Sequence, residues 1–247
     1  MMSKPVFETI LGVQVDVLTK PGLLAFVEDD IRQNRKSRIV AINPEKIISC
    51  RQDEKLKNLL NGFEYRITDG IGVLLASKLH GGQIKERITG VDTMMDLCAL
   101  ADKHAYRIFL YGSKAEVLKQ TALKLKTLYP HLILCGSLDG YQTDQDLIIN
   151  TINQARPHFL FVALGSPAQE YWISQALGTL SVNLCMGVGG SFDVISETKE
   201  RAPGFYRHLG LEWFYRLIKE PSRVFRQGKL LVFAGLVLTR WGKGYTS

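Results

Sequence analysis

The sequence lacks any close pairing of its cysteine residues. The four cysteines, Cys50, Cys98, Cys135 and Cys185, are widely spaced, form no C-x-x-C motif and have no histidine at metal-ligand spacing. Each lies within an apolar helix or strand pattern, so we expect buried free thiols. This pattern excludes a small disulfide-stapled fold, fits a reducing compartment and predicts no metal site.

Long apolar runs are also missing. The longest strongly apolar run, Leu230–Leu238, has nine residues, whereas a membrane-spanning helix needs about 20. Residues 1–17 mix charged and polar residues with apolar ones and contain no continuous apolar stretch of the signal-peptide type. We therefore expect neither a secretory signal nor a transmembrane span.

Net charge is missing from the first four fifths of the chain. Residues 1–198 contain 21 basic and 21 acidic residues, whereas residues 199–247 contain ten basic and three acidic residues. The whole net charge of +7 therefore lies in the last fifth. Such asymmetry indicates an anionic partner for that segment, which could be a lipid surface, a nucleic acid or a phosphorylated ligand.

What the sequence contains is a regular alternation of short β-rich runs and longer helical patterns. Predicted strands span residues 38–43, 65–68, 107–111, 132–135, 158–164 and 182–188, and predicted helices span 44–60, 71–79, 91–104, 115–128, 144–155 and 167–177. This order predicts βαβ units, and hence an α/β fold with a mainly parallel sheet covered by helices on both faces. Residues 1–30 predict a hairpin or a helix. With 247 residues, 46% of them apolar, the chain can bury one large core.

Ligands of open α/β sheets bind beyond the carboxyl ends of the strands, so the residues that follow each predicted strand are the candidates for a site. Asp69 follows one strand directly and precedes Gly70-Ile71-Gly72. Its carboxylate could act as a general base, or it could cap the next helix. Ser166 and Gln169 predict a capping box at another helix start, where free N–H groups could also bind phosphate or sugar oxygens.

Two further motifs favour structural roles. Gly187-Val188-Gly189-Gly190 follows a strand but fails the G-x-G-x-x-G pattern, because Phe192 stands at the third glycine position. A nicotinamide dinucleotide is therefore disfavoured. Asp144-Gln145-Asp146 has the D-x-D form of many metal-dependent sugar-nucleotide enzymes, but it lies at a predicted helix start, where acidic residues complement the helix dipole.

The C-terminal segment carries a basic stripe at helical spacing. Its members are Arg216, Lys219, Arg223, Arg226 and Lys229. Basic residues with apolar residues opposite are typical of an interfacial helix on anionic lipid, although an ordinary solvated helix face would show the same pattern. The apolar run at 230–238 argues against nucleic acid as the partner.

Several blocks resemble the WecG/TagA/CpsF family of bacterial glycosyltransferases, in order and at consistent spacing over about residues 8–230. They are Ala41-Ile42-Asn43-Pro44-Glu45-Lys46, Thr68-Asp69-Gly70-Ile71-Gly72, Arg87-Ile88-Thr89-Gly90-Val91-Asp92, Gly165-Ser166-Pro167-Ala168-Gln169-Glu170, Met186-Gly187-Val188-Gly189-Gly190, Lys199-Glu200-Arg201-Ala202-Pro203, Leu209-Gly210-Leu211-Glu212-Trp213-Phe214-Tyr215-Arg216-Leu217 and Glu220-Pro221-Ser222-Arg223. The resemblance implies a Rossmann-like catalytic α/β domain over residues 1–198. It also implies a helical appendage over residues 199–247 that docks at the membrane and completes the active site.

The resemblance further implies an inverting, metal-independent hexosyltransferase without a cofactor. Its partners would be a UDP-sugar donor, typically of N-acetylmannosamine or its uronic acid, and an acceptor N-acetylglucosamine linked to polyprenyl diphosphate. Such an enzyme of surface polysaccharide synthesis would be cytoplasmic and peripheral on the inner face of the cytoplasmic membrane. Homo-oligomer formation stays open.

The family's site positions fall on seven residues of this sequence. The proposed base falls on Asp69, other active-site positions on Asn43, Arg87 and Gln169, and diphosphate-contacting arginines on Arg216, Arg223 and Arg226. One family position that can be threonine is Ala41 here, which cannot make a side-chain hydrogen bond.

Three alternatives remain at the level of sequence. The first is a member of the same family that uses a different UDP-hexose for an exopolysaccharide. The second is a non-catalytic module that binds UDP-sugar or lipid without transfer, and the third is a Rossmann-type oxidoreductase. Release of UDP with a polyprenyl-diphosphate acceptor would separate transfer from the last two.

Overall fold

The computed structural model describes residues 3–198, 202–208, 214–215 and 224–239. The strands are β1 Phe7–Ile10, β2 Val13–Asp16, β3 Ser37–Ile42, β4 Tyr65–Thr68, β5 Arg107–Gly112, β6 Ile133–Leu138, β7 Phe159–Ala163 and β8 Leu184–Gly187. The helices are α1 Lys20–Arg32, α2 Pro44–Gln52, α3 Glu54–Asn61, α4 Ile71–Leu79, α5 Gly90–His104, α6 Ala115–Leu128, α7 Gln145–Ala155, α8 Ala168–Ala176, α9 Ser191–Ile195, α10 Gly204–His208 and α11 Val224–Thr239.

Six strands form one parallel sheet in the order β4-β3-β8-β7-β5-β6. Alternate residues of each strand face opposite sides, so each face of the sheet has its own apolar core. Val40 of β3 belongs to the core that also contains residues of α2, α4, α7 and α8, while Ile39 belongs to the core on the other face, with residues of α5, α6 and α9. The predicted α/β fold, with a mainly parallel sheet covered on both faces, is confirmed.

The predicted helix over residues 44–60 is wrong as a single element. The structure has two helices, α2 and α3, that meet at Asp53. Asp53 has extended backbone angles, and its carboxylate accepts a hydrogen bond from Leu56 N at 3.0 Å, which caps α3. The apolar spacing continues across the break, because both helices bury residues in the same core, and this continuity hid the break.

The first thirty residues contain both elements that the sequence left open. β1 and β2 pair as an antiparallel hairpin, and α1 follows with Thr19 as its N-cap. The hairpin is joined to the sheet by a buried ion pair, because Asp16 accepts hydrogen bonds from the Arg66 guanidinium and from Arg66 N at 2.7 Å. The carboxylate of Asp16 therefore compensates a cation that is itself buried within β4.

Replacing Asp16 with alanine is expected to destabilise the fold by about 3–5 kcal/mol, because it leaves the Arg66 cation buried without its counter-charge. Urea denaturation measures this change in the free energy of unfolding. Lys124→Ala is the control, since it breaks an exposed ion pair with Glu197 that contributes about 0–1 kcal/mol. A loss below about 1 kcal/mol for Asp16→Ala would contradict this account of the hairpin.

The cysteines are free, as expected from their spacing. Cys50, Cys98 and Cys185 are buried, whereas Cys135 is only partly buried, so the prediction of burial holds for three of the four. Burial raises the pKa of Cys50 to about 11 and that of Cys185 to about 12, so both thiols stay protonated at neutral pH.

The C-terminal apolar run lies in α11, which packs against α2 and α4. Phe233 and Val237 are buried in the core on that face, whereas Leu231 is 79% exposed. Lys229 donates to Ser49 Oγ of α2 at 2.8 Å, so the last member of the basic stripe contacts the protein itself. Within the described ranges, no helix is both long enough and apolar enough to cross a bilayer.

Candidate active site

The main cavity lies at the carboxyl ends of the central strands. β3 and β8 are neighbours, but the chain leaves β3 into α2 on one face and leaves β8 into α9 on the other. Such a reversal opens a crevice between the two loops, and open α/β sheets bind their ligands there. The crevice is a cavity of about 560 Å³, and four of the predicted site residues, Asn43, Asp69, Arg87 and Gln169, line it together.

Asn43 lies between β3 and α2 and caps that helix. Its Oδ1 accepts a hydrogen bond from Lys46 N at 2.9 Å, and Pro44 fills the first helical position, where no N–H is needed. The cap fixes the carboxamide, and no described residue accepts a hydrogen bond from its Nδ2. The Asn43 amide group can therefore donate to a ligand in the cavity.

Asp69 follows β4 and is held at the cavity by its backbone. Asp69 N donates to Ile42 O at 2.8 Å, which places its side chain next to the loop after β3. Gly70 occupies the N-cap position of α4 with φ +90°, a conformation that favours glycine. Asp69 thus stands one residue before the cap position, partly exposed on the cavity wall, where a carboxylate can take a proton from a ligand hydroxyl.

Arg87 comes from the loop that joins α4 to α5. The next residue, Ile88, donates its N–H to Thr68 O at 2.8 Å and buries its side chain under the sheet. Thr89 then caps α5 by accepting from Asp92 N. These two anchors hold the half-buried Arg87 at the cavity, on the same strand end as Asp69.

The predicted capping box of α8 is wrong. The cap position is Pro167, without a side-chain cap, and Ser166 lines the cavity instead. Gln169 does not reach back to the helix start, because its Oε1 accepts from Gly189 N at 3.0 Å and its Nε2 donates to Glu170 Oε1 at 3.0 Å. A partner from the turn after β8, distant in sequence, therefore helps to fix the position of this side chain.

Gln169 also explains the glycine that ends β8. A Cβ on Gly187 would lie 2.6 Å from Gln169 Nε2, so any larger residue would collide with the carboxamide. Gly187 therefore serves close packing against Gln169. The buried Phe192 stands where a dinucleotide loop would have its third glycine. Asp144 caps α7 by accepting from Leu147 N, so the helix-start interpretation of the D-x-D motif is confirmed.

Arginines of the C-terminal segment cannot be placed in the cavity. Arg216 and Arg223 lie outside the described residues, and Arg226 belongs to the first turns of α11 by its backbone alone. The sequence did not predict the contribution that α11 does make, which is an apolar wall. Its members are Leu230, Phe233, Ala234, Val237 and Leu238, opposite Leu75 and Leu79 of α4.

The cavity lining carries charges of both signs, with Lys46 and Arg87 as cations and Glu45 and Asp69 as acidic residues. The charge of Lys46 is balanced by Glu170, whose Oε1 lies 2.7 Å from Lys46 Nζ. The helix N-termini of α2 and α4 also open onto the cavity, and helix N-termini carry partial positive charge and N–H groups that can bind an anion. Ala41, at the family position that can be threonine, lines the cavity with a methyl group that cannot form a hydrogen bond. Among the described residues, no three His, Cys, Asp or Glu side chains lie together in a way that could hold a metal ion.

The fold and the cavity define an α/β protein with a polar, charged site at the reversal of strand order and an apolar wall beside it. Comparison with known proteins assigns most of the chain to one family. Residues 8–246 match the model of the Glycosyl transferase WecG/TagA/CpsF family. The chain belongs to this family, which confirms the resemblance, and it is therefore a glycosyltransferase.

Two curated relatives come from Bacillus. A protein of Bacillus subtilis (strain 168) is 38% identical over 200 residues, which cover 81% of this chain and 78% of the relative. A protein of Bacillus spizizenii (strain ATCC 23059 / NRRL B-14472 / W23) is 37% identical over 191 residues, covering 77% and 74%. Both are named N-acetylglucosaminyldiphosphoundecaprenol N-acetyl-beta-D-mannosaminyltransferase.

Proposed function

We propose that this chain transfers N-acetylmannosamine, or its uronic acid, from a UDP donor to N-acetylglucosamine on a polyprenyl diphosphate, with inversion and without a metal. The observation that carries the proposal is the convergence of Asn43, Asp69, Arg87 and Gln169 on one cavity. The names of the two Bacillus relatives supply the sugar and the acceptor class.

Asp69 is the proposed base. The acceptor hydroxyl oxygen attacks the anomeric carbon of the donor sugar while Asp69 takes the hydroxyl proton. The bond between that carbon and the UDP oxygen breaks, and UDP leaves with the electron pair. A single displacement of this kind inverts the anomeric centre. The position of Asp69 on the cavity wall supports this role, since a base must come within hydrogen-bond reach of the proton it takes.

Positive groups are proposed to stabilise the charge that develops on UDP. The N-terminus of α4 and Arg87 supply part of this charge at the cavity. Arg216, Arg223 and Arg226 are proposed to supply the rest, because guanidinium groups bind phosphate oxygens in pairs. In this role the arginines take the place of a divalent metal.

The apolar wall is proposed to receive the lipid end of the acceptor. Leu75 and Leu79 of α4 face α11 across the cavity and are both partly exposed. Residues 199–247 would then act as an appendage to the catalytic residues 1–198. The exposed apolar side chains of α11, such as Leu231, and the basic residues before it would contact the inner face of the cytoplasmic membrane.

A panel of UDP-sugars tests the proposed donor. The full chain is incubated with GlcNAc-diphospho-polyprenol in detergent, and released UDP and lipid-linked disaccharide are both quantified. UDP-N-acetylmannosamine, or its uronic acid, is expected to give one disaccharide per UDP. A clear preference for another UDP-hexose would place the chain on a different polysaccharide, and UDP binding without any product would identify a non-catalytic module.

A further inference from the structure

A largely buried ion pair lies at the wall of the cavity, where its cation, Lys46, is one of the lining residues. Glu170 of α8 is 0% exposed, and its Oε1 accepts from Lys46 Nζ at 2.7 Å. Lys46 also donates to Ala41 O at 3.0 Å, at the end of β3. Two charges that are both largely removed from water are costly unless they are well paired. The chain bears this cost next to its active-site residues, which suggests a role beyond stability.

The ion pair is connected to the cavity through Gln169. Glu170 Oε1 accepts hydrogen bonds from both Lys46 Nζ and Gln169 Nε2. Because a carboxylate oxygen only accepts, the NH₂ group of the Gln169 carboxamide must point toward Glu170. Gln169 Oε1 must then face Gly189 N, from which it accepts at 3.0 Å. A chain of hydrogen bonds thus runs from α2 through α8 to the glycine turn after β8.

One oxygen of this pair is left over. Glu170 Oε2 is buried and has no hydrogen-bond partner among the described residues. Buried polar atoms without partners are rare in folded proteins and call for an explanation. If stability alone had shaped this site, an apolar pair of similar volume would serve at least as well. The contact to Gln169 runs through Oε1, so orientation of Gln169 would account for the retained ion pair, whereas the unpartnered Oε2 is a cost of keeping it.

We propose that Lys46 and Glu170 are positioning residues of the sugar-nucleotide site. Their ion pair locks the Gln169 carboxamide, and Gln169 in turn holds the Gly187–Gly190 turn at the crevice between β3 and β8, where nucleotides bind in folds of this kind. The proposal rests on the proposed function for its kinetic readout, but not for its structural one.

The test compares single and double replacements of the pair. Lys46→Met leaves a buried carboxylate without its cation and is expected to lower Tm by roughly 10 °C. Lys46→Met combined with Glu170→Leu removes both charges and is expected to keep Tm within about 4 °C of the parent. The double variant is nevertheless expected to raise KM for the UDP-sugar about tenfold, because Gln169 has lost the acceptor that orients it.

Two readouts separate positioning from a structural role. Amide hydrogen exchange at Gly189 is expected to accelerate in the double variant, since its acceptor is no longer fixed. Glu170→Gln, which keeps an acceptor for Gln169 without the charge, is expected to give a KM between those of the parent and the double variant. Arg38→Met with Glu64→Leu removes a matched ion pair outside the cavity lining and is expected to leave KM unchanged.

The proposal is overturned if the double variant has the parent's KM and the parent's protection at Gly189. Failure of the proposed function has a different signature. In that case the parent releases no UDP with any acceptor, while the exchange rate at Gly189 in the double variant still decides whether the pair positions Gln169.

Discussion

Asp69→Asn is expected to lower kcat by about 10²–10⁴-fold, with little change in KM for the UDP-sugar. Asparagine keeps the size of the side chain and its place after β4, but it cannot take a proton from the acceptor hydroxyl. Because the backbone of this residue is anchored by Asp69 N donating to Ile42 O, the fold is expected to survive the substitution. Steady-state kinetics of disaccharide formation measure the effect.

Asp139→Asn is the matched control for Asp69→Asn. Asp139 also follows a strand of the same sheet directly, but it lies after β6 and does not line the main cavity. The kcat of the Asp139→Asn variant is expected to stay at the parent's level. Near-normal turnover of Asp69→Asn would remove Asp69 as the base, and an equal loss in both variants would indicate a general effect of carboxylate replacement.

Removal of the residues after Thr198 is expected to reduce transfer to a membrane-embedded acceptor by at least about 100-fold. The shortened chain loses the apolar wall of α11 and the three proposed arginines, and removal of one preorganised charge-stabilising donor alone typically costs 10²–10³-fold. Transfer in liposomes that contain the lipid-linked acceptor measures the loss. Full activity of the shortened chain would contradict the proposal that this segment completes the site.

Truncation also exposes the part of the core that α11 covers, so a loss of activity could come from loss of stability. Point substitutions in α11 that keep the chain at full length are therefore tested as well. Phe233→Ser with Val237→Ser weakens the buried face of α11 while the chain keeps every arginine. Leu231→Ser with Val232→Ser changes the exposed side of the same helix as the control. With a short, soluble acceptor, the first pair is expected to lose activity and the second to keep it. With liposomes, a loss of activity in the Leu231→Ser, Val232→Ser variant would indicate direct contact of α11 with the bilayer.

Most of the fold could be predicted because local patterns and tertiary packing agree. Short, continuous apolar runs alternate with helical patterns of about 3.6 residues from β3 onward, and each face of the sheet has a continuous core to fill. The break at Asp53 was not predicted, because α2 and α3 bury their apolar residues in the same core and the apolar spacing continues across it. The position of the Gln169 side chain was not predicted, because its partner Gly189 lies in the turn after β8, distant in sequence, and no local pattern records that contact.

The candidate site was predictable to a similar degree and for a related reason. Asp69 and Asn43 follow strands directly, so the parallel sheet brings them to one edge, and family motifs add Arg87 and Gln169. The role of α11 was not predictable, because nine apolar residues in a row suit a lipid surface as well as a protein core. Phe233 and Val237 take the core, whereas Leu231 stays exposed.

The anomeric configuration of the product tests the central claim most directly. The full chain is given UDP-N-acetylmannosamine with the sugar α-linked to UDP, together with GlcNAc-diphospho-polyprenol, and the disaccharide is examined by NMR. A single displacement assisted by Asp69 predicts a β-linked N-acetylmannosamine and one UDP per linkage. An α-linked product, or UDP release without any disaccharide, would contradict the account.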